Sequence, residues 1–372
     1  MILHLLTDEK FTDYAIQQFS APEMKSEFVL IPYNQTMGLV KLIDKCKVIT
    51  FPSPEFKELL ESLGKYTGII IHGMFCPRWQ ELILKWAPQG VKVAWVFWGG
   101  EIYLRPEITD TRYGTITRFM ERVHSIVRYN GSKPSLYILP FKLFQRIDYC
   151  LTGEQEEYEY AKQFLNHPTL KHLWYTYYDM NATIGALKSE TCNGNNVIVG
   201  NSATIECNYF DVIPKLRKYL QKNQKVILPL SYGTPWIMNA VTKYANFWLG
   251  KHSWVLSEFM EREKYNRILQ SCSTMIMAQY IPQAQGNILT GLWLGMRVYL
   301  SEKSIAYRFF KRLGFVVFSF ESEFKKYRYT PLTEEEFAQN RKVLTEWYSA
   351  ENVMKAVHNV AKELSEPKNI ND

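Results

Sequence analysis

The 372-residue chain reads as an α/β protein made of two tandem, doubly wound Rossmann-like domains. Three observations lead there. The length exceeds the ~100–200 residues typical of one domain. Short apolar, β-branched runs alternate with helical patterns, which implies βαβ units and a parallel sheet buried on both faces. The alternation occurs twice, on either side of a Ser-, Thr-, Asn- and Gly-rich stretch from Asn181 to Asn196 that reads as a linker.

In the first series, strands are expected at Ile2–Leu6, Phe28–Ile31, Val48–Phe51, Gly68–His72 and Val91–Trp98. Helices Pro54–Gly64, Cys76–Trp86 and the long Arg112–Arg128 connect them. Strand Ile147–Leu151, the polar helix Glu154–Leu165 and a β-rich Leu173–Tyr178 complete the half. The second series runs strand Val197–Gly200, helix Tyr209–Lys222, strand Lys225–Leu230, helix Trp236–Phe247, strand Trp254–Leu256 and helix Glu261–Ser271. It continues with strand Thr274–Gln279, helix Gln285–Leu294, strand Arg297–Leu300, helix Ile305–Leu313 and strand Phe315–Phe318. The domains are set at residues 1–185 and 186–340. Residues 341–372, the end of a polar helical tail, have no strand partner and are expected to pack back on the first domain. Ligand is expected between the halves, at strand C-terminal ends.

Composition excludes several classes. With 47% hydrophobic and 22% charged residues the chain should fold throughout. No apolar run approaches the ~20 residues that span a bilayer, and Met1–Leu6 lacks the basic flank of a signal peptide. A soluble or peripheral cytoplasmic protein is expected. The six cysteines, Cys46, Cys76, Cys150, Cys192, Cys207 and Cys272, have no metal-binding spacing and read as reduced thiols. The Asn-x-Thr matches at Asn34 and Asn181 would matter only in a secreted chain. A formal charge of +7 favours anionic partners. The basic residues are spread and no helix-turn-helix or zinc finger occurs, so nucleic acid is not an expected partner. Neither G-x-G-x-x-G nor a P-loop motif is present, which argues against a dinucleotide oxidoreductase or a P-loop kinase. The aromatic share, 15%, suits either rich cores or a site that stacks flat ligands.

The strand ends carry the distinctive stretches. They are His72-Gly73-Met74-Phe75-Cys76-Pro77, Trp98-Gly99-Gly100-Glu101-Ile102-Tyr103, Val199-Gly200-Asn201-Ser202 and Leu228-Pro229-Leu230-Ser231-Tyr232. Leu256-Ser257-Glu258, with Tyr265 and Cys272, and Gln285-Gly286 follow in order. Together, from about residue 68 to 310, they resemble the bacterial family of 4-acetamido-4,6-dideoxygalactose (Fuc4NAc) transferases. The chain departs from that family in two places: Trp98-Gly99-Gly100-Glu101 stands where the family has Trp-Gly-Ala-Asp, and the turn from Gln285 to Thr290 is longer. The resemblance implies a GT-B glycosyltransferase, two Rossmann-like domains facing across a cleft. It implies transfer of a deoxy-amino sugar from a dTDP-sugar to a polyprenyl-diphosphate-linked glycan, in bacterial surface polysaccharide synthesis at the cytoplasmic face of the inner membrane. Another donor, GDP-fucose or a UDP-sugar, and a non-catalytic sugar-nucleotide scaffold are the alternatives.

Such chemistry needs a group that deprotonates a hydroxyl and a site that stabilises a departing diphosphate. Gln285, Gly286 and Asn287 open a helix after a strand, where backbone N–H groups could hold phosphate, or they form a plain cap. Asn201 and Ser202 can be a cap, a phosphate contact or both. By the resemblance, Tyr232 and Glu258 contact the nucleotide; ordinary loop polarity is the plain alternative. Glu101 is the expected base, since desolvation between Trp98 and Tyr103 would raise its pKa, unless it caps a helix or pairs with Arg105 or Arg112. His72 is an acceptor-binding residue, an alternative base or a structural imidazole. No Asp-x-Asp pair stands on a strand end, so metal independence is expected, with an inverting single displacement. The segment from Arg112 to Arg128 carries Arg112, Arg118, Arg122, His124 and Arg128 among apolar residues, with Lys133 and Lys142 beyond. It reads as an acceptor or membrane contact, or as a solvated face whose stems cover the core.

Overall fold

The computed structural model describes residues 1–33, 38–75, 77–105, 108, 112–129 and 138–368. Asn34, Cys76 and Lys133 lie outside the described residues. The chain forms two units, one of residues 1–105, 136–179 and 348–372, the other of residues 106–135 and 180–347.

The first unit is built on seven strands: β1 (Ile2–Leu6), β2 (Ser26–Leu30), β3 (Lys47–Val48), β4 (Gly68–His72), β5 (Lys92–Val96), β6 (Tyr149–Thr152) and β7 (Lys171–Trp174). All pair in parallel, in the order β3-β2-β1-β4-β5-β6-β7. The central strands, ILHLL, GIIIH and KVAWV, are buried along their whole length. Such apolar runs suit a sheet covered on both faces. One face is closed by the helix Ala350–Ser365, whose Val357, Val360, Ala361 and Leu364 join Ile2, Leu6, Ile70 and Ala94 in one core.

The second unit holds β8 (Asn196–Val199), β9 (Val226–Pro229), β10 (Ser253–Leu256), β11 (Cys272–Met277), β12 (Arg297–Leu300) and β13 (Phe318–Ser319). Its sheet is parallel throughout, in the order β10-β9-β8-β11-β12-β13.

Two segments group differently from a simple division at 185 and 340. The helix Thr115–Tyr129 belongs to the second unit. Asp211 explains why: its carboxylate accepts from Ile116 N and Thr117 N at 3.0 and 2.8 Å, capping the helix from across the unit. The tail is shared. Helix Glu334–Tyr348 stays with the second unit almost to its end, where Asn340 bonds both backbone groups of Val316 and Phe337 fills the space left open at Gly295. Only the last helix returns to the first unit.

Strand order locates where ligands bind. In an open parallel sheet the crevice lies outside the C-terminal ends of the two strands at which the winding direction reverses. That point falls between β1 and β4 in the first unit and between β8 and β11 in the second.

Candidate functional site

At the switch point of the second unit, the turns after β8 and β11 are tied by side chains. Asn201 is the hub. Its Oδ1 accepts from Gln279 Nε2 at 3.0 Å and from the Cys207 thiol at 3.4 Å, and its Nδ2 donates to the Tyr232 hydroxyl at 3.2 Å. The turns after β8 and β9 each need a glycine. Gly200 has φ +65 and lies against the Tyr209 ring, whose hydroxyl donates to Ser202 O at 2.9 Å. Gly233 has φ +119, and a Cβ there would sit 2.5 Å from Ala203 O. The two loops are thereby zipped, with Ala203 N bonding Tyr232 O and Thr234 N bonding Ala203 O at 2.7 and 2.8 Å.

The turn after β11 runs into the helix Gln285–Leu294, buried from Ile288 onward. Its N-cap, Ala284, makes no side-chain cap and holds a left-handed φ of +59, and no acidic residue stands in its first turn. A Cβ on Gly286 would meet nothing within 4 Å. The first N–H groups of a helix have no intrahelical acceptor and carry the positive end of its dipole. Its N-terminus is half-exposed at the switch point, a kind of position where backbone N–H groups can hold an anion. Tyr280 adds a positive charge by holding Lys303, whose Nζ lies 4.7 Å over its ring.

Of the sequence-predicted donor residues, Asn201, Ser202 and Tyr232 come together, and Gln285, Gly286 and Asn287 form the helix start. Gln279, which sequence reading passed over, joins the first group. Glu258 stands apart, exposed at the end of β10 and two strands from the switch.

In the first unit Glu101 and His72 each have buried polar partners. Glu101 is 5% exposed. Its Oε1 accepts from Met74 N at 2.9 Å, the Trp95 indole at 3.1 Å and Trp98 N at 3.4 Å, while Oε2 is buried with no partner among the described residues. Burial raises its pKa, the shift a base needs, and the three N–H donors oppose it. The carboxylate nevertheless faces the body of the unit. Arg105 bonds the main-chain oxygen of Glu101 instead of forming an ion pair with the carboxylate.

His72 is 2% exposed, and both its ring nitrogens are occupied. The Trp98 indole, which can only donate, gives its N–H to the Tyr177 oxygen at 3.0 Å. The Tyr177 hydroxyl then donates to His72 Nδ1 at 2.9 Å. His72 Nε2–H in turn donates to His4 Nδ1, and His4 Nε2–H to Ser26 Oγ, each at 3.1 Å. Every group in this chain is satisfied when neutral. Burial accordingly pushes His72 down to about 3 and, with the His72 charge as second cause, holds His4 well below the usual imidazole range. With both ring nitrogens engaged, the imidazole is fixed between Tyr177 and His4. Glu101 and His72 thus converge on Trp98, one holding its backbone and the other, through Tyr177, its indole.

The relay has a measurable pH signature. An imidazole that resists protonation in the folded state but titrates near 6.5 when unfolded contributes stability that is complete above 6.5 and lost as pH falls towards about 3. The slope is up to ~1.4 kcal/mol per pH unit per group. Buried carboxyls act oppositely: Glu157, pushed by burial up to about 8, contributes stability that is complete below 4.5 and lost as pH rises through 8. Below 4.5 the raised carboxyls fall silent. His72→Gln should therefore flatten the acid limb of the urea midpoint against pH below 4.5, and parallel curves for variant and wild type would refute the relay.

Trp98 and Phe75 are half-exposed, and with Phe11, Tyr177 and Tyr178 they form one aromatic cluster at the C-terminal edge. A ring of this kind stacks against the apolar face of a sugar. The loop after β1 completes the edge. Asp8 is spent on the backbone, accepting from Gly38, Leu39 and Val40 at 2.8–3.0 Å. Glu9, half-buried beside it, has its pKa raised first by burial. Glu9 was not among the residues expected at the site. The available signal was the Thr7-Asp8-Glu9 run directly after the first strand.

Of the arginines in the segment from Arg112 to Arg128, Arg112 is 7% exposed with its guanidinium 5.2 Å from the Tyr113 ring and half-buried Arg118 donates to Tyr113 O, while Arg122 and Arg128 are exposed. Cys46, Cys150, Cys192, Cys207 and Cys272 are free thiols. Among the described residues no group of three His, Cys, Asp or Glu is arranged to hold a metal ion, and no helix is long and apolar enough to cross a membrane.

No protein-family model matches the chain, and no curated protein matches it by sequence. Solved structures do match along its length. A glycosyltransferase from Rickettsia africae ESF-5 superposes with a TM-score of 0.63 at 13% identity, over 98% of both chains. Anabaena HepE, in complex with UDP-glucose, gives 0.61 at 11% identity over 97% of this chain and 99% of its own. The lipopolysaccharide outer core galactosyltransferase WaaB gives 0.60 at 8% identity, over 98% and 99%. Identity this low speaks to fold. With two parallel-sheet Rossmann-like units, the chain has the GT-B architecture of these glycosyltransferases.

Proposed function

We propose that the protein is a glycosyltransferase that takes its sugar from a nucleoside-diphosphate donor. The observation that carries this reading is the acid-free N-terminus of helix Gln285–Leu294 together with the Asn201–Gln279–Tyr232 cluster, at the switch point of the second unit. The leaving diphosphate carries two to three negative charges, and preorganised N–H groups stabilise such charge without reorganisation. Lys303 adds a cation from the next strand end. These groups supply charge compensation from the chain itself, in support of metal-independent transfer. Activity that is lost in excess chelator and restored by Mg²⁺ or Mn²⁺ would refute that part.

The strand-end motifs support a dTDP-linked 4-acetamido-4,6-dideoxygalactose as donor and a polyprenyl-diphosphate-linked glycan as acceptor, at the cytoplasmic face of a bacterial inner membrane. The aromatic edge around Trp98 would stack an acceptor sugar, and Glu9 would take the proton of the attacking hydroxyl in an inverting displacement. Glu101 and His72 are positioning residues for Trp98. A UDP-sugar donor is the second reading, favoured by the UDP-glucose complex of HepE. Thermal shifts with dTDP, UDP and GDP decide between them. The cognate nucleotide at 100 times its dissociation constant stabilises by about 2.7 kcal/mol. No shift with any nucleotide would sink the whole reading.

A further inference from the structure

The helix Thr115–Tyr129 is inside out. Ile116, Phe119, Val123, Ile126 and Val127 are 42%, 64%, 41%, 63% and 80% exposed. At 3.6 residues per turn they fall within one arc of roughly 100°, the width of an ordinary core-facing stripe. The opposite face, which packs on the body of the unit, is largely polar. Thr117 is fully buried, Ser125 is 9% exposed, and the His124 ring stacks on Trp236 at 3.8 Å. An amphipathic helix normally turns its apolar stripe inward, where burial is worth ~25 cal/mol per Å². Here the inward face is fixed by the Asp211 cap and by Gly114, whose missing Cβ would meet the Asp211 carboxylate. The stripe is left outward with nothing among the described residues covering it.

We propose that this stripe inserts into the interfacial region of an anionic lipid bilayer. Charge and area select that occupant. The helix carries Arg118, Arg122 and Arg128 against the single acid Glu121, on a chain of net charge +7. Exposed Arg122 borders the stripe, and cations beside an apolar face are the pattern of helices that lie in anionic membrane surfaces. Five partly exposed side chains offer on the order of 500 Å², large for a patch on a monomer but short of the ~800 Å² per partner of a standard protein interface. The inference deepens the lipid-linked acceptor reading, since a peripheral enzyme meets such an acceptor only at the bilayer. It replaces the arginine face by an apolar one as the primary contact.

Flotation on phosphatidylcholine vesicles, with and without one quarter phosphatidylglycerol, tests it directly. The full chain should float with the phosphatidylglycerol vesicles, less at high salt but still detectably, because insertion is not screened. The double variant Phe119→Asp/Val127→Asp should partition at least ~10-fold more weakly, a loss of only ~1.4 kcal/mol. Both positions are exposed, so the melting temperature and its nucleotide-induced shift should match wild type. Wild-type protein that fails to float, or a double variant that floats equally well, overturns the proposal. So does sedimentation showing a wild-type dimer that the double variant converts to monomer, which would assign the stripe to a second copy. Loss of the nucleotide shift in wild type would instead strike the donor site and leave this inference standing.

Discussion

Gly286→Asp should weaken nucleotide binding by more than ~100-fold while leaving the protein as stable as before, or more so. The two effects separate because they arise from different properties of one position. Space is free around the missing Cβ, and the residue lies in the first turn of a ten-residue helix, a turn that holds no acid. An aspartate there meets the positive end of the dipole, which ordinarily adds ~0.3–1 kcal/mol. Replacing a helical glycine by aspartate adds about 0.3 kcal/mol more. The same carboxylate occupies the ground proposed for the diphosphate and repels its charge, and a like charge placed against a ligand costs several kcal/mol. A helix start that merely needed a cap would gain stability and lose nothing. Titration calorimetry with the cognate nucleotide, beside urea denaturation, reads both; unchanged affinity would remove the diphosphate from this helix.

How much of this could be read from the residues differs between elements for physical reasons. The strands β1, β4, β5, β8 and β11 were legible because both their faces are buried, so their apolar runs are continuous and bounded by polar turns. The loops at their C-terminal ends were legible as the place for a site, and Asn201, Ser202, Tyr232 and Gln285–Asn287 do stand there. What hid Glu101 was the indole of Trp95, fully buried and six residues upstream, which draws the carboxylate inward. Nothing in a strand-end glutamate reveals which neighbour will bond it. His72 was hidden similarly, since its partners His4 and Tyr177 lie 68 and 105 residues away. The helix Thr115–Tyr129 shows a different limit. Its stripe is plain in the sequence, but periodicity gives the existence of an apolar face and not its direction, which here follows from Asp211 in a distant helix.

Glu9→Gln should lower turnover by about 10²–10⁴-fold, the usual contribution of a general base, with the donor dissociation constant and melting temperature unchanged. The first unit offers few other carboxylates for the task. Asp8 gives its oxygens to three backbone N–H groups, and Asp13 accepts from Lys41 and Leu42. Glu101 is turned towards Trp95, while Glu154 and Glu157 are buried, with Glu157 accepting from Thr152 and Tyr103. Glu9 is half-exposed, like Asp8 and Asp13, on the loop after β1 at the reversal of strand order, with burial raising its pKa. Lys10 beside it acts the other way and keeps a useful fraction ionised. The pH–rate profile for kcat should accordingly show an acidic limb, set by a carboxyl above its usual 4.5, that disappears in Glu9→Gln. Glu101→Gln is the discriminating partner, because glutamine keeps an oxygen for the N–H groups of Met74, Trp95 and Trp98. It should retain turnover to within about tenfold, whereas Glu101→Ala, which orphans three buried donors at ~1–3 kcal/mol each, should lose stability. A collapse of turnover in Glu101→Gln with Glu9→Gln active would return the base to Glu101, by way of its unpartnered Oε2, and would require the turn around Trp98 to open during the reaction.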